Sequence, residues 1–398
     1  MPSRKILHLD LDAFFCAVEE QIDSSLRGLP FAVGGRPDQR GVVASCSYPA
    51  RRFGVRSAMP MSQALRLCPH LLIRPSNFKA YRAASEQVMQ RLNNLTPYVE
   101  QISIDEAFLD VTLLPDSADR IAYRLQKQIN DELGLPCSLG VAANKLVAKV
   151  ANNIGKDRAG KDSPPNAVSI IPPGEESAFL APLPTRELWG VGPKTAEELA
   201  RMGIQTIGDI ARTPEGRLVQ RFGKQGEDIS RRARGLDDRP VESESETKSV
   251  SKETTFARDL TDSEQLRRTL RSLSDSVGRR LRQDGLSGTT VKIKLRWADF
   301  TTLTRQTTLS RPTNHDNEIY ETALELFNKS WPKGRPVRLL GVGVSGFDEE
   351  TFQPGLWDTP APLQDNRLES VLDQLRNRFG EHIVQRGSAM LGESTDDE

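Results

Sequence analysis

The sequence predicts a multidomain α/β (α+β) protein, and three observations carry that prediction. The chain has 398 residues, enough for two to four domains that each bury a core. Short apolar runs of strand length end in acidic residues and lead into helical patterns in the first half of the chain. From Pro172-Pro173-Gly174 onward the composition turns helical, and near residue 290 a strictly alternating strand appears.

Lys5–Leu11 reads as a buried strand ending in acid, followed by a helix over Phe14–Gln21. Asp10 and Asp12 lie two apart, so on a strand both point to one face. Asp10 has two readings: a cap for the helix behind it, or one member of a metal-binding cluster. The other members are Asp105 and Glu106. Ile102 and Ile104 before this pair, and Phe108 and Val111 after it, are β-formers, which predicts a hairpin with two carboxylates at its turn. Adjacent like charges need a cation or proton between them, and oxygen-only ligands favour Mg²⁺ over zinc. Three carboxylates at strand ends suit two Mg²⁺ ions about 4 Å apart for in-line phosphoryl transfer.

Gly41–Arg56 runs from a strand into a short helix and offers a hydroxyl, a phenol and a guanidinium at three-residue intervals. Ser45, Tyr48 and Arg51 then share a face that suits one anion, with Arg51 gripping phosphate bidentately; a solvated basic helix is the plainer account. Val141–Ala151 fits a strand feeding a helix packed on the same sheet, with Lys145, Lys149 and Lys156 following. Leu188–Leu199 reads as a helix-hairpin-helix. Gly190 and Gly192 let the turn's N–H groups approach a phosphate, and Lys194 opens the next helix. Such a turn grips a duplex backbone without reading sequence, or it is a simple αα turn.

Residues 239–250 are polar and read as a linker. Beyond them come helix candidates near 262–284 and 314–330. In the strand Thr290–Trp297, Lys292, Lys294 and Arg296 alternate with Val291, Ile293 and Leu295. One face is apolar; the row of cations on the other suits either solvent or a phosphate backbone.

The net charge is zero, from 54 basic and 54 acidic residues, and on its own argues for no partner. It hides a segregation: residues 251–348 hold 17 Lys/Arg against 12 Asp/Glu, and residues 349–398 hold 4 against 11. Cys16, Cys46, Cys68 and Cys137 form no CxxC pair, as expected of reduced thiols rather than a zinc cluster. The N-terminus does not read as a signal peptide and no apolar run is long enough to span a membrane, so a cytoplasmic protein is expected.

His8-Leu9-Asp10-Leu11-Asp12-Ala13-Phe14-Phe15, Tyr48-Pro49-Ala50-Arg51-Arg52-Phe53-Gly54-Val55 and Ser103-Ile104-Asp105-Glu106-Ala107 resemble the motifs of Y-family (translesion) DNA polymerases. The nearest resemblance is to the bacterial DNA polymerase IV (DinB) branch, and it covers nearly the whole chain. It implies a right-hand polymerase. The palm would be residues 1–18 and 78–172, small fingers 19–77, a helical thumb with its helix-hairpin-helix 173–238, a little finger 251–348 and an acidic tail 349–398.

It also implies a low-fidelity polymerase without proofreading, acting as a monomer on primer-template DNA and dNTP with two Mg²⁺ ions. Asp10, Asp105, Glu106 and the Leu11 carbonyl would hold the metals. Ser45, Tyr48, Arg51 and Lys156 would hold the triphosphate, with Phe14 and Phe15 at the nucleotide. Phe15 would lie under the sugar as a steric gate against ribose; a place in the core is its other reading. After Lys156 the chain reads Asp157-Arg158-Ala159-Gly160-Lys161, where the family usually has Lys-Pro-x-Gly. Gln353, Leu356 and Trp357 resemble the peptides that dock on a sliding clamp, or else pin the tail to the protein body. A nucleotide cyclase shares paired carboxylates but needs no helix-hairpin-helix or basic strand, and a non-catalytic relative would lack the carboxylates.

Overall fold

The computed structural model describes residues 3–160, 163–244, 246–347, 369, 371–375 and 378–380. The chain divides into two compact units, Met1–Ser245 and Glu246–Glu398.

The first unit is organised on a five-stranded sheet. Strand β1 (Ile6–Leu11) turns at Ala13, in the left-handed region with φ 48°, into α1 (Phe14–Ile22). A small sheet follows from β2 (Phe31–Gly34), β3 (Val43–Cys46) and β4 (Leu72–Arg74), with α2 (Tyr48–Arg52) and α3 (Met61–Leu67) between the last two. Helix α4 (Phe78–Leu95) returns the chain to the main sheet. There β5 (Val99–Gln101), β6 (Glu106–Asp110), α5 (Ala118–Leu133), β7 (Cys137–Ala142), α6 (Lys145–Arg158) and β8 (Val168–Ile170) complete it in the order β5-β6-β1-β7-β8.

Alternation along β1 sorts its residues between two faces. Leu7, Leu9 and Leu11 join the core shared with α1, α4 and α5. Ile6 joins the core built with α6, so His8 and Asp10 point to that side too. Partners across β6 follow the same rule: Asp10 faces Glu106 and His8 faces Phe108. Gly140 of β7 lies beside His8.

Helices α7 (Glu176–Leu180), α8 (Pro193–Arg201), α9 (Ile207–Arg212), α10 (Glu215–Phe222) and α11 (Lys224–Ala233) close the unit. They share one apolar core with α6.

The second unit is built on an antiparallel sheet, β11-β10-β12-β9, with helices packed on it. Its order along the chain is β9 (Ser249–Leu260), α12 (Ser263–Gln283), β10 (Gly288–Trp297), β11 (Thr302–Thr313), α13 (Asp316–Ser330) and β12 (Val337–Ser345). Leu266, Leu270, Leu273, Val277 and Leu281 form the buried stripe of α12, in one core with Val291, Ile293 and Leu295 of β10 and Leu340, Val342 and Val344 of β12.

Several sequence expectations need adjustment. β5 ends at Gln101, so Ile102 and Ile104 sit in the turn despite their strand propensity. The carbonyl of Glu106 accepts from both Ile102 N (3.0 Å) and Ser103 N (3.2 Å), which bends the chain there. β9 begins at Ser249, which places the end of the expected linker 239–250 inside a strand paired with β12. The alternating strand begins at Gly288 rather than Thr290. No described helix is long and apolar enough to cross a membrane.

Candidate active site

Asp10 and Glu106 are cross-strand neighbours on one face of the sheet, and Asp105 immediately precedes Glu106 in the turn. The turn is fixed by Leu11 N donating to the Asp105 carbonyl (3.0 Å) and by Ser103 Oγ donating to Asp105 Oδ1 (2.5 Å). Asp10, Leu11 and Asp105 line a single open cavity together with Phe14, Phe15, Ser45, Arg51 and Lys156. Eight of the predicted residues therefore meet at one place, delivered by β1, α1, β3, α2, the β5–β6 turn and α6.

The carboxylates are met by ammonium groups from α6. Lys156 Nζ lies 2.5 Å from Asp10 Oδ1 and 3.0 Å from Asp12 Oδ1. Lys149 Nζ pairs with Glu106 Oε1. Asp12 is fully buried and does more than share a face with Asp10: it accepts from Ser138 Oγ (2.9 and 3.0 Å) and from Asn166 N (3.0 Å), tying β1 to β7 and to the chain before β8. Burial pushes the Asp10 carboxyl up to about 6; Lys156 opposes that, while Asp105 and Glu106 add to it. Burial also works to raise Glu106, but the hydrogen bond from His8 and the Lys149 ammonium outweigh it and bring the group down to about 2. Burial works to lower Lys156, yet Asp10 and Asp12 leave it raised.

Among the described residues, no three acidic, histidine or cysteine side chains converge tightly enough to enclose an ion. The donor set still fits a hard cation: all oxygen, mutually repelling, and already occupied by positive charge.

Ser45 stands on β3, not on the helix with Tyr48 and Arg51; Ser45 and Arg51 line the cavity, from the strand end and from α2, and Tyr48 does not. Arg51 lies over the Tyr48 ring at 4.5 Å and donates from Nε to the Cys46 carbonyl at 3.3 Å. The Tyr48 hydroxyl is buried and has no hydrogen-bond partner among the described residues. Burial raises its pKa, and the charges of Asp12 and Asp10 add to the rise. Phe14 belongs to the core, while Phe15 is half-buried, stacked on Tyr81 at 4.2 Å with Phe78 edge-on at 6.0 Å.

The predicted helix-hairpin-helix has a short first arm, a single 3₁₀ turn over Thr185–Glu187. Gly190 is left-handed (φ 96°) and Gly192 caps α8, with Lys194 exposed in its first turn. In the second unit Lys292, Lys294 and Arg296 stand on the face of β10 opposite its apolar residues. Lys294 pairs with Glu253 at 2.8 Å and Arg296 donates to Thr302 Oγ1 at 2.9 Å. Gln353, Leu356 and Trp357 lie outside the described residues.

Sequence reasoning missed His8 and Asn152, and gave Lys149 no role. Their signals were the two-residue spacing of His8 and Asp10 on a strand, and the spacing of 149, 152 and 156 along one helical face.

The impB/mucB/samB family model matches residues 9–153, and that family's C-terminal domain matches residues 247–356. The thumb-domain model of DNA polymerase-iota matches residues 186–237. DNA polymerase IV of Dehalococcoides mccartyi (strain CBDB1) is 40% identical over 391 residues, which is 97% of this chain and 98% of the relative. DNA polymerase IV of Streptomyces coelicolor is 46% identical over 352 residues, covering 87% of this chain and 71% of the relative. Among solved structures, a Y-family DNA polymerase chimera aligns with TM-score 0.77 at 25% identity, covering 86% of this chain and 99% of the other. The insertion ternary complex of Dbh DNA polymerase aligns with TM-score 0.62 at 26% identity, covering 86% and 99%. The chain belongs to the impB/mucB/samB family, the Y-family DNA polymerases, on the DNA polymerase IV (DinB) branch, and is a DNA polymerase.

Proposed function

We propose that the chain carries out template-directed, low-fidelity translesion synthesis, joining a dNTP to a primer 3′-hydroxyl by metal-assisted nucleotidyl transfer. The observation that carries this reading is the register of β1 on β6, which sets Asp10 opposite Glu106 with Asp105 beside it, and Asp10 and Asp105 line the cavity that Ser45, Arg51 and Lys156 also line. Asp10, Asp105, Glu106 and the Leu11 carbonyl would hold two Mg²⁺ ions. Bound there, Mg²⁺ acidifies the attacking hydroxyl and neutralises charge on the phosphates.

The chain's own residues set the rest. Tyr48 supplies an unpartnered hydroxyl and Arg51 a planar fork for the phosphates. Lys156 is within reach of both the carboxylates and the cavity, so it exchanges Asp10 for phosphate when nucleotide enters. Phe15, backed by Tyr81, is placed to exclude a 2′-hydroxyl. The α8 turn with Gly190, Gly192 and Lys194, and the β10 cations, serve as sequence-independent grips on DNA. The domain division expected from the sequence accompanies this reading: palm at 1–18 and 78–172, fingers at 19–77, thumb at 173–238 and little finger at 251–348. The tail segment with Gln353, Leu356 and Trp357 would tether the enzyme to a sliding clamp.

Primer extension with single dNTPs, with Mg²⁺ omitted, and with Asp105→Ala and Glu106→Ala tests the proposal. With single dNTPs only the nucleotide matched to the template should be added, and incorporation should vanish without Mg²⁺ and in either variant while primer-template binding persists. Near wild-type extension by either variant would remove the carboxylates from the chemistry.

A further inference from the structure

His8 lies two residues before Asp10, on the same face of β1. Its imidazole is fully buried, with the Phe108 ring 4.8 Å away. Nε2 stands 2.5 Å from Glu106 Oε1, and Nδ1 stands 3.0 Å from the side-chain nitrogen of Asn152.

The tautomer follows from Asn152. Its Nδ2 also faces the Ser138 carbonyl (3.1 Å) and the His8 carbonyl (3.3 Å), so its two hydrogens are shared among three acceptors, Nδ1 included. A flipped amide would set its oxygen against both carbonyl oxygens, so Nδ2 is the atom facing Nδ1. The amide keeps this orientation although it leaves Asn152 Oδ1 buried without a partner among the described residues. Nδ1 therefore accepts, the ring's single proton sits on Nε2, and Nε2–H is donated to Glu106.

Glu106 is thus divided between its two oxygens. His8 and Lys149 both converge on Oε1. Among the described residues nothing is bonded to Oε2. A carboxylate pinned by one oxygen presents the other in a fixed direction, as partners behind metal ligands do.

We propose that His8 is a positioning residue for Glu106: set in its Nε2–H form by Asn152, it holds Oε1 so that Oε2 is turned out for a divalent cation. This rests on the metal-assisted reading above. His8 touches neither substrate nor primer on this account, and acts through the carboxylate alone.

The test compares His8→Gln, His8→Asn and His8→Leu in the full-length chain with primer-template. A glutamine amide reaches as far as Nε2, donating to Glu106 and accepting from Asn152. An asparagine is shorter, reaching Asn152 but not Glu106. Mn²⁺ binding, followed by the electron paramagnetic resonance of the free ion, is read beside kcat and the KM for dNTP. We expect His8→Asn and His8→Leu to lose about 10- to 100-fold in Mn²⁺ affinity and a similar factor in kcat, with KM for dNTP little changed. His8→Gln should stay within about threefold of wild type on the same argument.

Equal behaviour of His8→Gln and His8→Asn would overturn the proposal, including where His8→Leu fails to fold. So would wild-type Mn²⁺ affinity in His8→Asn. Glu106→Gln separates the two layers. If that variant binds Mn²⁺ and incorporates normally, the metal reading fails; if it is silent while His8→Asn is normal, only the role of His8 fails.

Discussion

Replacing Gly140 by alanine tests how closely α6 must approach the sheet for the site to form. Gly140 lies on β7 beside His8, on the side of the sheet that α6 covers. A Cβ there would stand 1.9 Å from the Ala148 carbonyl oxygen, 2.7 Å from Asn152 N and 2.9 Å from the Ala148 carbonyl carbon. All three are backbone atoms of α6, so no side chain can swing aside. Reaching even a tight contact needs roughly 1.3 Å of retreat by the helix, and overpacking of this kind costs about 3 kcal/mol. Amides of β7 and α6 should then exchange with deuterium about 140-fold faster, since each 1.4 kcal/mol is a factor of ten. Amides of β10, in the other unit, serve as the internal reference and should not change. Lys149, Asn152 and Lys156 ride on α6, and a displacement near 1 Å at a site lowers turnover about 100-fold. Gly216, in α10, has open space around its Cβ position, so Gly216→Ala should be neutral. Wild-type exchange and wild-type incorporation in Gly140→Ala would refute the reasoning that close helix–sheet approach sets the site.

Three further outcomes are expected. The Asp10 carboxyl sits at about 6, raised by burial, so it keeps its proton below that pH. Mn²⁺ affinity of the nucleotide-free enzyme should be full above about pH 6 and fall about tenfold per unit below it, with the break moving upward in Lys156→Ala; a break near the ordinary carboxylate range would contradict this. Phe15→Val should raise ribonucleotide incorporation, and an unchanged dNTP/rNTP preference would return Phe15 to the role of packing against Tyr81. Neutralising Lys292 and Arg296 should each flatten the salt dependence of primer-template binding by about one unit of slope. Lys294, already paired with Glu253, should contribute less, and an unaltered slope would mean a solvated face.

Much of the site was legible because its residues sit on regular elements. The period of two placed Asp10 and Asp12 on one side, where Lys156 meets both, and adjacent carboxylates after a short strand marked the β5–β6 turn. What periodicity does not carry is which strands become neighbours. Asp10 opposite Glu106 is a pairing across 96 residues of chain, and the motif resemblance placed those residues together before any strand pairing was known. Ser45 was misjudged as sharing a helical face with Tyr48 and Arg51, because three-residue spacing reads the same across a strand end as along a helix. Asn152 carried only the helical spacing it shares with Lys149 and Lys156: an asparagine inside a helix is ordinary until its amide is seen to face His8 and two carbonyls. The adjustment at Ile102 and Ile104 has the same origin, since hydrogen bonds of the turn override β-propensity.

Two of the residues that sequence reasoning left without roles, Lys149 and Asn152, share one helix with Lys156, and that helix explains the site's charge. Lys149, Asn152 and Lys156 lie three and four residues apart along one face of α6, which Gly140 admits against the sheet. From that face two ammonium groups meet the carboxylates of Asp10, Asp12 and Glu106, with Asp105 close by in the turn. With all four carboxylates ionised, two negative charges remain uncompensated in a partly buried place. Burial is the main reason the Asp10 carboxyl holds a proton up to about 6 even with an ammonium 2.5 Å away, and the charges of Asp105 and Glu106 add to it. On the proposed reading, cations and nucleotide therefore favour each other's arrival. Cations satisfy the surplus on Asp10 and Asp105, and the triphosphate gives Lys156 another anion to hold once Asp10 is taken. An enzyme arranged in this way should bind divalent ions weakly when free and much more tightly beside a nucleotide, with α6 as the element that carries the exchange.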